Sequence, residues 1–338
     1  MTRTLLRMAG MSVELSAGDR TVDIIAGIDL ELDRGERLGV VGESGSGKSI
    51  TALAIMGLLP QQMRVRGQLI FDGHDLAAMP EEQFCKFRGR RMAMIFQEPM
   101  TALNPVKPIG AQIAEGRILH LGESRRQAEK RARLLLDKVG LPAPRFDPGL
   151  YPHQLSGGQR QRVMIASAIA CEPDLLIADE PTTALDVTVQ AQILDLLDEL
   201  IDDTGMTLML ITHDLGVVSE MTDRIAVMYA GRIVETGRTD DVFARMAHPY
   251  SRGLFAASPH GAGLLPRPPG AGRPRLTAIP GVVPDPFGRP PYCTFADRCA
   301  VVEADCRQCM PALRVITAHD GVEHRAACLH PRQDPVRP

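Results

Sequence analysis

The chain has 338 residues, and its 44% hydrophobic and 23% charged content is typical of a globular protein rather than a disordered one. Its 38 Lys and Arg against 41 Asp and Glu leave a net charge of −3, and a 4% aromatic content without Trp gives no support to a nucleic-acid-binding surface. No apolar run approaches the roughly 20 residues that span a bilayer, and the N-terminus lacks a signal-peptide pattern, so we expect an intracellular chain.

Apolar strands and helices alternate along the first two thirds of the chain. The pattern predicts strands over 22–42, 67–72, 92–96, 175–178, 208–211 and 225–229. Helices are predicted over 50–59, over 124–139, where Gly140 would end the helix, over 159–170, and after Asp186, which can cap the next helix. This alternation indicates a mostly parallel sheet with helices on its faces.

The composition changes near Ser258. Pro and Gly make up about half of residues 259–291, which indicates an extended linker. Five of the 7 cysteines follow this linker, and in an intracellular chain such clustering favours metal or redox chemistry over disulfides. At roughly 100–200 residues per domain, the length fits two domains or one large domain with an appendage.

The segment that follows the strand ending near Val41 matches a phosphate-binding loop. Its glycines let successive backbone N–H groups face one anion, and the helix after it adds its positive end. Lys48 would reach the β- and γ-phosphates of a nucleotide, and the Ser49 hydroxyl would bind Mg²⁺. The predicted ATP-binding residues are Gly42, Glu43, Ser44, Gly45, Ser46, Gly47, Lys48, Ser49 and Ile50.

Polar residues follow three other predicted strands. Asp179 and Glu180 end the strand over 175–178, where Asp179 can hold Mg²⁺ and Glu180 can activate the attacking water. His213 follows the strand over 208–211, and Gln97 follows the strand over 92–96. Because the carboxyl ends of parallel strands share one edge of a sheet, we expect these residues at the same edge as the phosphate loop, with His213 near the γ-phosphate.

A further motif carries a resemblance to a known family. Leu155, Ser156, Gly157, Gly158 and Gln159 resemble the signature of the ATP-binding-cassette (ABC) ATPases, and the motif order fits that family: phosphate loop, Gln97, signature, Asp179-Glu180, Ala184-Leu185-Asp186, His213. The resemblance implies a head-to-tail dimer in which ATP lies between the phosphate loop of one cassette and the signature of the other. It implies Ser49, Gln97 and Asp179 as Mg²⁺ ligands, Glu180, His213 and Gln97 as catalytic residues, and Asp186 in communication between the cassettes.

Narrower features resemble the ATPases of oligopeptide/dipeptide importers, namely the segments 96–105 and 248–254 and the cysteine tail. That resemblance implies ATP hydrolysis that energises import of peptides, or of glutathione, nickel or other small solutes, with the cargo chosen by other subunits. It implies a second ATPase subunit, related but not identical, two membrane permease subunits and an extracytoplasmic substrate-binding protein, and no nucleic acid. The expected location is peripheral, on the cytoplasmic face of the inner membrane.

The alternative function is a soluble ABC ATPase of DNA repair or translation. Chromosome-structural relatives need a long coiled coil between Gln97 and the signature, and the intervening segment here is short. Translation-type relatives carry two cassettes in one chain, whereas this sequence holds one phosphate loop. Both features favour the importer.

The cysteine tail also resembles that of the importer ATPases, which reads Cys-x5-Cys-x6-Cys and then a distant Cys. The matching residues are Cys293, Cys299, Cys306 and Cys328. The resemblance favours a 4Fe–4S cluster on these four thiolates. Two alternatives remain: a tail that holds neither group, and zinc, which is less favoured because zinc sites usually use tight C-x2-C pairs and the chain has one such pair, Cys306–Cys309. Cys309 is extra to the pattern and could compete with Cys306, while His324 and His330 are weaker ligand candidates.

These features together predict an α/β fold. It comprises an ABC-type P-loop ATPase core with a mostly parallel sheet, a helical subdomain, an antiparallel β part and a small Cys-rich C-terminal extension. The expected domains are a nucleotide-binding domain over 1–257 with its helical subdomain at about 98–165, a Pro/Gly-rich linker over 258–291, and the Cys-rich extension over 292–338.

Overall fold

A computed structural model of the chain describes residues 4–183, 185–258, 276–319 and 321–332. Residues 1–3, Ala184 of the predicted Ala-Leu-Asp motif, residue 320, most of the predicted linker (259–275) and the last part of the extension (333–338) lie outside the described residues. The chain forms two compact units. We call residues 33–36 and 78–210 the helix-rich unit, and residues 4–32, 37–77 and 211–332 the strand-rich unit.

The strands and helices have the following bounds. The strands are β1 (Thr4–Ala17), β2 (Arg20–Asp33), β3 (Arg37–Val41), β4 (Met63–Phe71), β5 (His74–Asp75), β6 (Met92–Ile95), β7 (Leu175–Asp179), β8 (Thr207–Thr212), β9 (Arg224–Tyr229), β10 (Arg232–Arg238), β11 (Arg314–His319) and β12 (Val322–Ala326). The helices are α1 (Lys48–Ile55), α2 (Glu81–Phe84), α3 (Pro99–Ala102), α4 (Ile109–Leu121), α5 (Arg125–Lys138), α6 (Gly157–Ala168), α7 (Val187–Thr204), α8 (Leu215–Met221), α9 (Thr239–Arg245) and α10 (Pro249–Ala256).

The strand-rich unit contains two groups of strands. A four-stranded sheet has the order β2-β1-β4-β5, and β1 and β4 pair antiparallel. A second group has the order β11-β12-β10-β9-β3, in which β3 runs parallel to β9 and the other pairs are antiparallel. The hairpin β11–β12 belongs to the C-terminal extension, and its pairing with β10 joins the extension to the sheet.

In the helix-rich unit, strands lie beside a group of packed helices. The strands have the order β8-β7-β6, and β6 and β7 are parallel and buried. Helix α4 packs on α5 and α6, and the helices bury small and aliphatic side chains such as Ile113, Ala132 and Leu136. The parallel strand pairs and the antiparallel sheet are those of the predicted α/β class.

Two predicted helices start earlier than expected, for local reasons. Helix α1 begins at Lys48 because Gly47 adopts a left-handed conformation, φ 107°, at the cap. Helix α6 begins at Gly157 because Ser156 and Gln159 form a reciprocal capping box. Helix α5 follows its predicted span closely, with Ser124 as the N-cap. Within the described residues, no helix has both the length and the apolar character needed to cross a bilayer.

Candidate active site and cysteine cavity

The phosphate loop in the strand-rich unit connects β3 to α1, and two of its glycines have no substitute. A Cβ on Gly42 would lie 2.2 Å from the carbonyl oxygen of Met228, and one on Gly47 would lie 2.4 Å from Cδ1 of Ile25. Both have positive φ, 154° and 107°. The tight backbone path therefore depends on glycine at these positions.

Lys48 is the cationic centre of this loop. Its side chain is buried, and Nζ donates to the carbonyl oxygens of Gly42, at 2.7 Å, and Glu43, at 3.1 Å. Ser46 is fully buried, and Ser49 is the second residue of α1. The loop thus holds one positive charge among backbone groups, which suits the phosphates of a nucleotide.

Residue Glu43 of the loop has partners that sequence reasoning missed. Its backbone N–H donates to the Tyr250 hydroxyl at 2.8 Å. Its carboxylate accepts two hydrogen bonds from the Arg298 guanidinium, at 2.7 Å and 3.0 Å. Both partners lie far along the chain, and no sequence motif connects them to the loop.

In the helix-rich unit, the ends of β6 and β7 bring Gln97 and Glu180 together, as the parallel pairing predicts. Asp179 ends β7 and is buried. Glu180 follows with a left-handed backbone, φ 46°, which is a strained conformation for this residue type. Its Oε2 accepts from Thr183 Oγ1 at 2.7 Å and from Gln97 Nε2 at 3.2 Å. The carboxylate is therefore held in place by two neutral donors, of which Thr183 was not predicted.

The predicted signature motif opens helix α6 in the same unit. Ser156 caps the helix, and its neighbour Gly158 faces α7, where a Cβ would lie 2.6 Å from Cγ1 of Val189. Asp186 caps α7 by accepting the Val189 N–H at 3.0 Å. The signature at the start of α6 therefore lies against the start of α7, where Gly158 approaches Val189 and Asp186 caps the helix.

His213 is the first residue after β8, as predicted. It belongs to the strand-rich unit and is exposed. The next residue, Asp214, caps α8 through the N–H groups of Gly216 and Val217, at 2.8 Å and 3.4 Å. The imidazole therefore sits between the end of a strand and a capped helix start.

Four of the five tail cysteines line one cavity in the strand-rich unit, and the rest of its wall is mainly apolar, with Phe295, Ala296 and Val301. They are Cys293, Cys299, Cys306 and Cys328. Burial raises the pKa of the Cys293 and Cys299 thiols and that of Cys328 to about 11. Cys309 is exposed and does not line this cavity.

The two tail histidines have different surroundings. His324 is buried, and its Nε2 lies 2.7 Å from Oε1 of Glu235, a fully buried carboxylate that also accepts the N–H groups of Ala247 and His248. His330 lies 2.9 Å from Asp305, and these two with Cys306 have ligand atoms within 4.8 Å of one another. His324 therefore belongs to a structural network, and His330 borders the cysteine cavity.

Comparisons with known proteins match both parts of the chain. The family described as ABC transporter matches residues 25–183, and the family described as oligopeptide/dipeptide transporter, C-terminal region, matches residues 234–306. A protein of Brucella abortus (strain 2308), named as a peptide import ATP-binding protein, is 48% identical over 315 residues, 92% of each chain. A protein of the same description from Brucella melitensis biotype 1 is 45% identical over 324 residues, 94% of this chain and 95% of that one.

The fold also matches a solved structure. A dimeric ATP-binding cassette, described in a post-hydrolysis state bound to ADP and Pi, superposes with a TM-score of 0.63 and 27% identity. The match covers 70% of this chain and 99% of that one. The structural similarity therefore covers nearly the whole of that cassette, and each of the two sequence relatives matches more than nine tenths of this chain.

Proposed function

This chain belongs to the ATP-binding proteins of the ABC-type peptide importers, and on that premise we propose how its residues divide the work of ATP hydrolysis. It is the ATPase subunit of a peptide import transporter, which the relatives support over a soluble ABC ATPase of DNA repair or translation. ATP and Mg²⁺ are the cofactors that this family implies.

Residues 42–50 bind the phosphates of one ATP. The buried Lys48 ammonium supports this role, because it already lies among loop carbonyl oxygens and can exchange them for phosphate oxygens. The Ser49 hydroxyl, Asp179 and Gln97 hold Mg²⁺. His213 contacts the γ-phosphate. Its position directly after β8, at the carboxyl end of a strand, supports this role.

Glu180 is the general base that activates the attacking water. The observation that carries this assignment is the pair of hydrogen bonds from Thr183 and Gln97, which fix the carboxylate at the end of a buried strand. The strained backbone at Glu180 is consistent with a residue held for function.

The test of this assignment is Glu180→Gln. Turnover should fall about 10²–10⁴-fold, the usual range for losing a general base, while ATP binding stays unchanged. The matched control is Glu172→Gln, because Glu172 is exposed, lies in the same unit and also has a left-handed backbone, φ 54°. Equal turnover in wild type and Glu180→Gln would remove Glu180 from this role.

Residues 155–159 close over the γ-phosphate of a nucleotide held by a second cassette. The start of α6 supports this role, since the first N–H groups of a helix lack intrahelical partners and attract anions. Asp186 accepts the N–H of Val189, whose side chain lies against Gly158 of the signature. We assign to Asp186 the communication between the two cassettes through this contact. The dimeric state of the related cassette agrees with this arrangement.

The cysteine cavity holds a 4Fe–4S cluster. Four thiols lining one mainly apolar cavity match the ligand number of such a cluster. The number of thiols and the resemblance to the importer tail favour a cluster over a single zinc ion. When bound, the cluster would cross-link the tail through its thiolates.

Anaerobic purification of the full chain tests the cluster. The protein should contain iron and acid-labile sulfide and absorb near about 400 nm, and Cys293→Ser with Cys299→Ser should abolish all three. Cys309→Ser is the matched control, because Cys309 is a tail cysteine outside the cavity. A colourless wild-type protein that holds zinc would overturn the proposal.

The transporter as a whole places this chain at the membrane through its partners. The family implies membrane permease subunits and a substrate-binding protein. We assign two permeases, a second and non-identical ATPase subunit, no nucleic acid, and a peripheral position on the cytoplasmic face of the inner membrane. Co-purification of the tagged chain from membranes tests this composition, and a stable homodimer without permeases would contradict it.

We propose that the chain divides into a nucleotide-binding domain (1–257), a linker (258–291) and a Cys-rich extension (292–338). The first family match lies within the proposed nucleotide-binding domain, and the second runs from β10 through the linker into the extension. The pairing of β12 with β10 shows that the extension is built onto the sheet that also carries β3.

A further inference from the structure

Arg298 is a tail residue whose side chain ends at the phosphate loop. Its side chain is 6% exposed, and its two terminal nitrogens donate to the two oxygens of the Glu43 carboxylate. This paired geometry is the strongest form of an Arg–carboxylate contact. The remaining nitrogen, Nε, donates to the Pro280 carbonyl oxygen at 2.7 Å, so the guanidinium is fixed on both sides.

Glu43 is held at its backbone as well as at its side chain. Its N–H donates to the Tyr250 hydroxyl, and its carbonyl oxygen accepts from Lys48 Nζ. Three groups therefore hold Glu43. Arg298 of the tail binds its carboxylate, Tyr250 of α10 binds its N–H, and Lys48 binds its carbonyl oxygen. Movement of Arg298 would be transmitted directly to the loop.

The charge of Glu43 makes this contact relevant to ATP. A carboxylate within a phosphate-binding loop repels the triphosphate, and a bidentate arginine neutralises it. Without Arg298, the loop would present an uncompensated negative charge to its anionic ligand.

Arg298 is also close to the cysteine cavity along the chain. It ends the 3-10 turn Ala296–Arg298, which lies between two cavity cysteines. The N–H of Ala296 donates to the Cys293 carbonyl oxygen at 3.0 Å, and the N–H of Cys299 donates to the Ala296 carbonyl oxygen at 3.3 Å. Arg298 therefore lies next to Cys299, in a turn whose backbone hydrogen bonds involve both cysteines.

We propose that Arg298 is a positioning residue for ATP, through which the cysteine tail sets the charge and shape of the phosphate loop at Glu43. The inference rests on the proposed ATP site, and it makes nucleotide affinity depend on the order of the tail. Arg298 need not touch ATP for this role, because it acts through Glu43.

Arg298→Met, Glu43→Gln and the double variant test this proposal in the full chain within its assembled transporter. Arg298→Met should raise the KM for ATP about tenfold or more, with a much smaller change in kcat, because the lost charge compensation acts on binding. Glu43→Gln in the Arg298→Met background should recover most of the lost affinity, because it removes the uncompensated charge. Arg298→Lys should lie between wild type and Arg298→Met, since it keeps the charge without the bidentate geometry.

Arg307→Met is the matched control, because Arg307 is another tail arginine, paired at 3.0 Å with the exposed Asp297. It should leave the KM unchanged. A wild-type KM in Arg298→Met would overturn the proposal, and so would a double variant as impaired as Arg298→Met, because a packing defect does not respond to the charge of Glu43.

Three measurements keep this result separate from the proposed function. Absence of ATP hydrolysis in the wild-type transporter would refute the function itself. Absence of iron with the expected KM pattern would refute the cluster and leave the role of Arg298 intact. Thermal unfolding of each variant identifies any loss of affinity that comes from an unfolded tail, and a double variant that regains affinity without regaining stability supports the charge mechanism.

Discussion

Gly158→Ala is the substitution whose cost the structure defines most directly. The new Cβ would lie 2.6 Å from Cγ1 of Val189, about 1 Å closer than an ordinary carbon–carbon contact of about 3.5–4.0 Å. Val189 cannot easily yield, because a β-branched side chain in a helix has one preferred rotamer and its N–H is held by Asp186. The strain therefore falls on the packing of α6 against α7.

Overpacking of this kind costs about 1–3 kcal/mol. Replacing Gly by Ala within a helix gains roughly 0.5–1 kcal/mol when space is available. In the Val189→Ala background the clash disappears, so the same Gly158→Ala change should become neutral or stabilising. Gly157→Ala is the matched control, because its Cβ would meet Leu185 at an ordinary 3.7 Å.

A double-mutant cycle measured by thermal unfolding checks this reasoning, and ATPase activity of the assembled transporter extends it. The Gly158 Cβ points toward Val189, so relieving the clash should also return most of the activity that Gly158→Ala loses. Equal stability of wild type and Gly158→Ala, or no suppression by Val189→Ala, would refute the packing argument. Recovered stability without recovered activity would show that ATP hydrolysis requires the absence of a side chain at position 158, independently of the contact with Val189.

Thr183→Val removes one donor to the Glu180 carboxylate and should lower kcat roughly tenfold, in line with about 1–2 kcal/mol for a lost hydrogen bond, while ATP affinity is unchanged; an unaltered kcat would show that the other donor suffices. Asp186→Ala removes the cap of α7 and should cost about 1 kcal/mol in unfolding experiments, whereas Asp186→Asn should cost little. His324→Leu leaves the buried Glu235 without one of its partners and should cost about 1–3 kcal/mol, seen as earlier melting and faster proteolysis of the tail; a tail of wild-type resistance would contradict this.

The phosphate loop and the residues at the strand ends could be predicted from the sequence because local rules govern their placement. A glycine-rich loop after a buried strand has few alternative conformations, and Gln97 and Glu180 meet because β6 and β7 are parallel neighbours. Asp186 was identifiable as a cap from residue type and position alone. In each case the partners lie within one turn or at the ends of adjacent strands.

The contacts of the tail could not be predicted in the same way. The pairing of Arg298 with Glu43 joins residues 255 positions apart, and neither the phosphate-loop motif nor the cysteine motif specifies the other residue as a partner. The hairpin β11–β12 is short, and its role depends on β10 as a partner. The motif of four cysteines indicates a shared site but says nothing about what the loops between them contact.

The position of Phe295 shows why the tail has two separable effects on the cassette. Its ring packs against Tyr229 at 5.2 Å and Tyr250 at 5.4 Å, and all three rings are buried in one core. Loss of this packing would weaken the strand-rich unit and remove the Tyr250 hydroxyl from Glu43. Loss of Arg298 removes its hydrogen bonds to Glu43 and Pro280 and its place over the Tyr229 and Phe295 rings, while the contacts among the three rings stay. Stability should therefore follow Phe295, and ATP affinity at constant stability should follow Arg298.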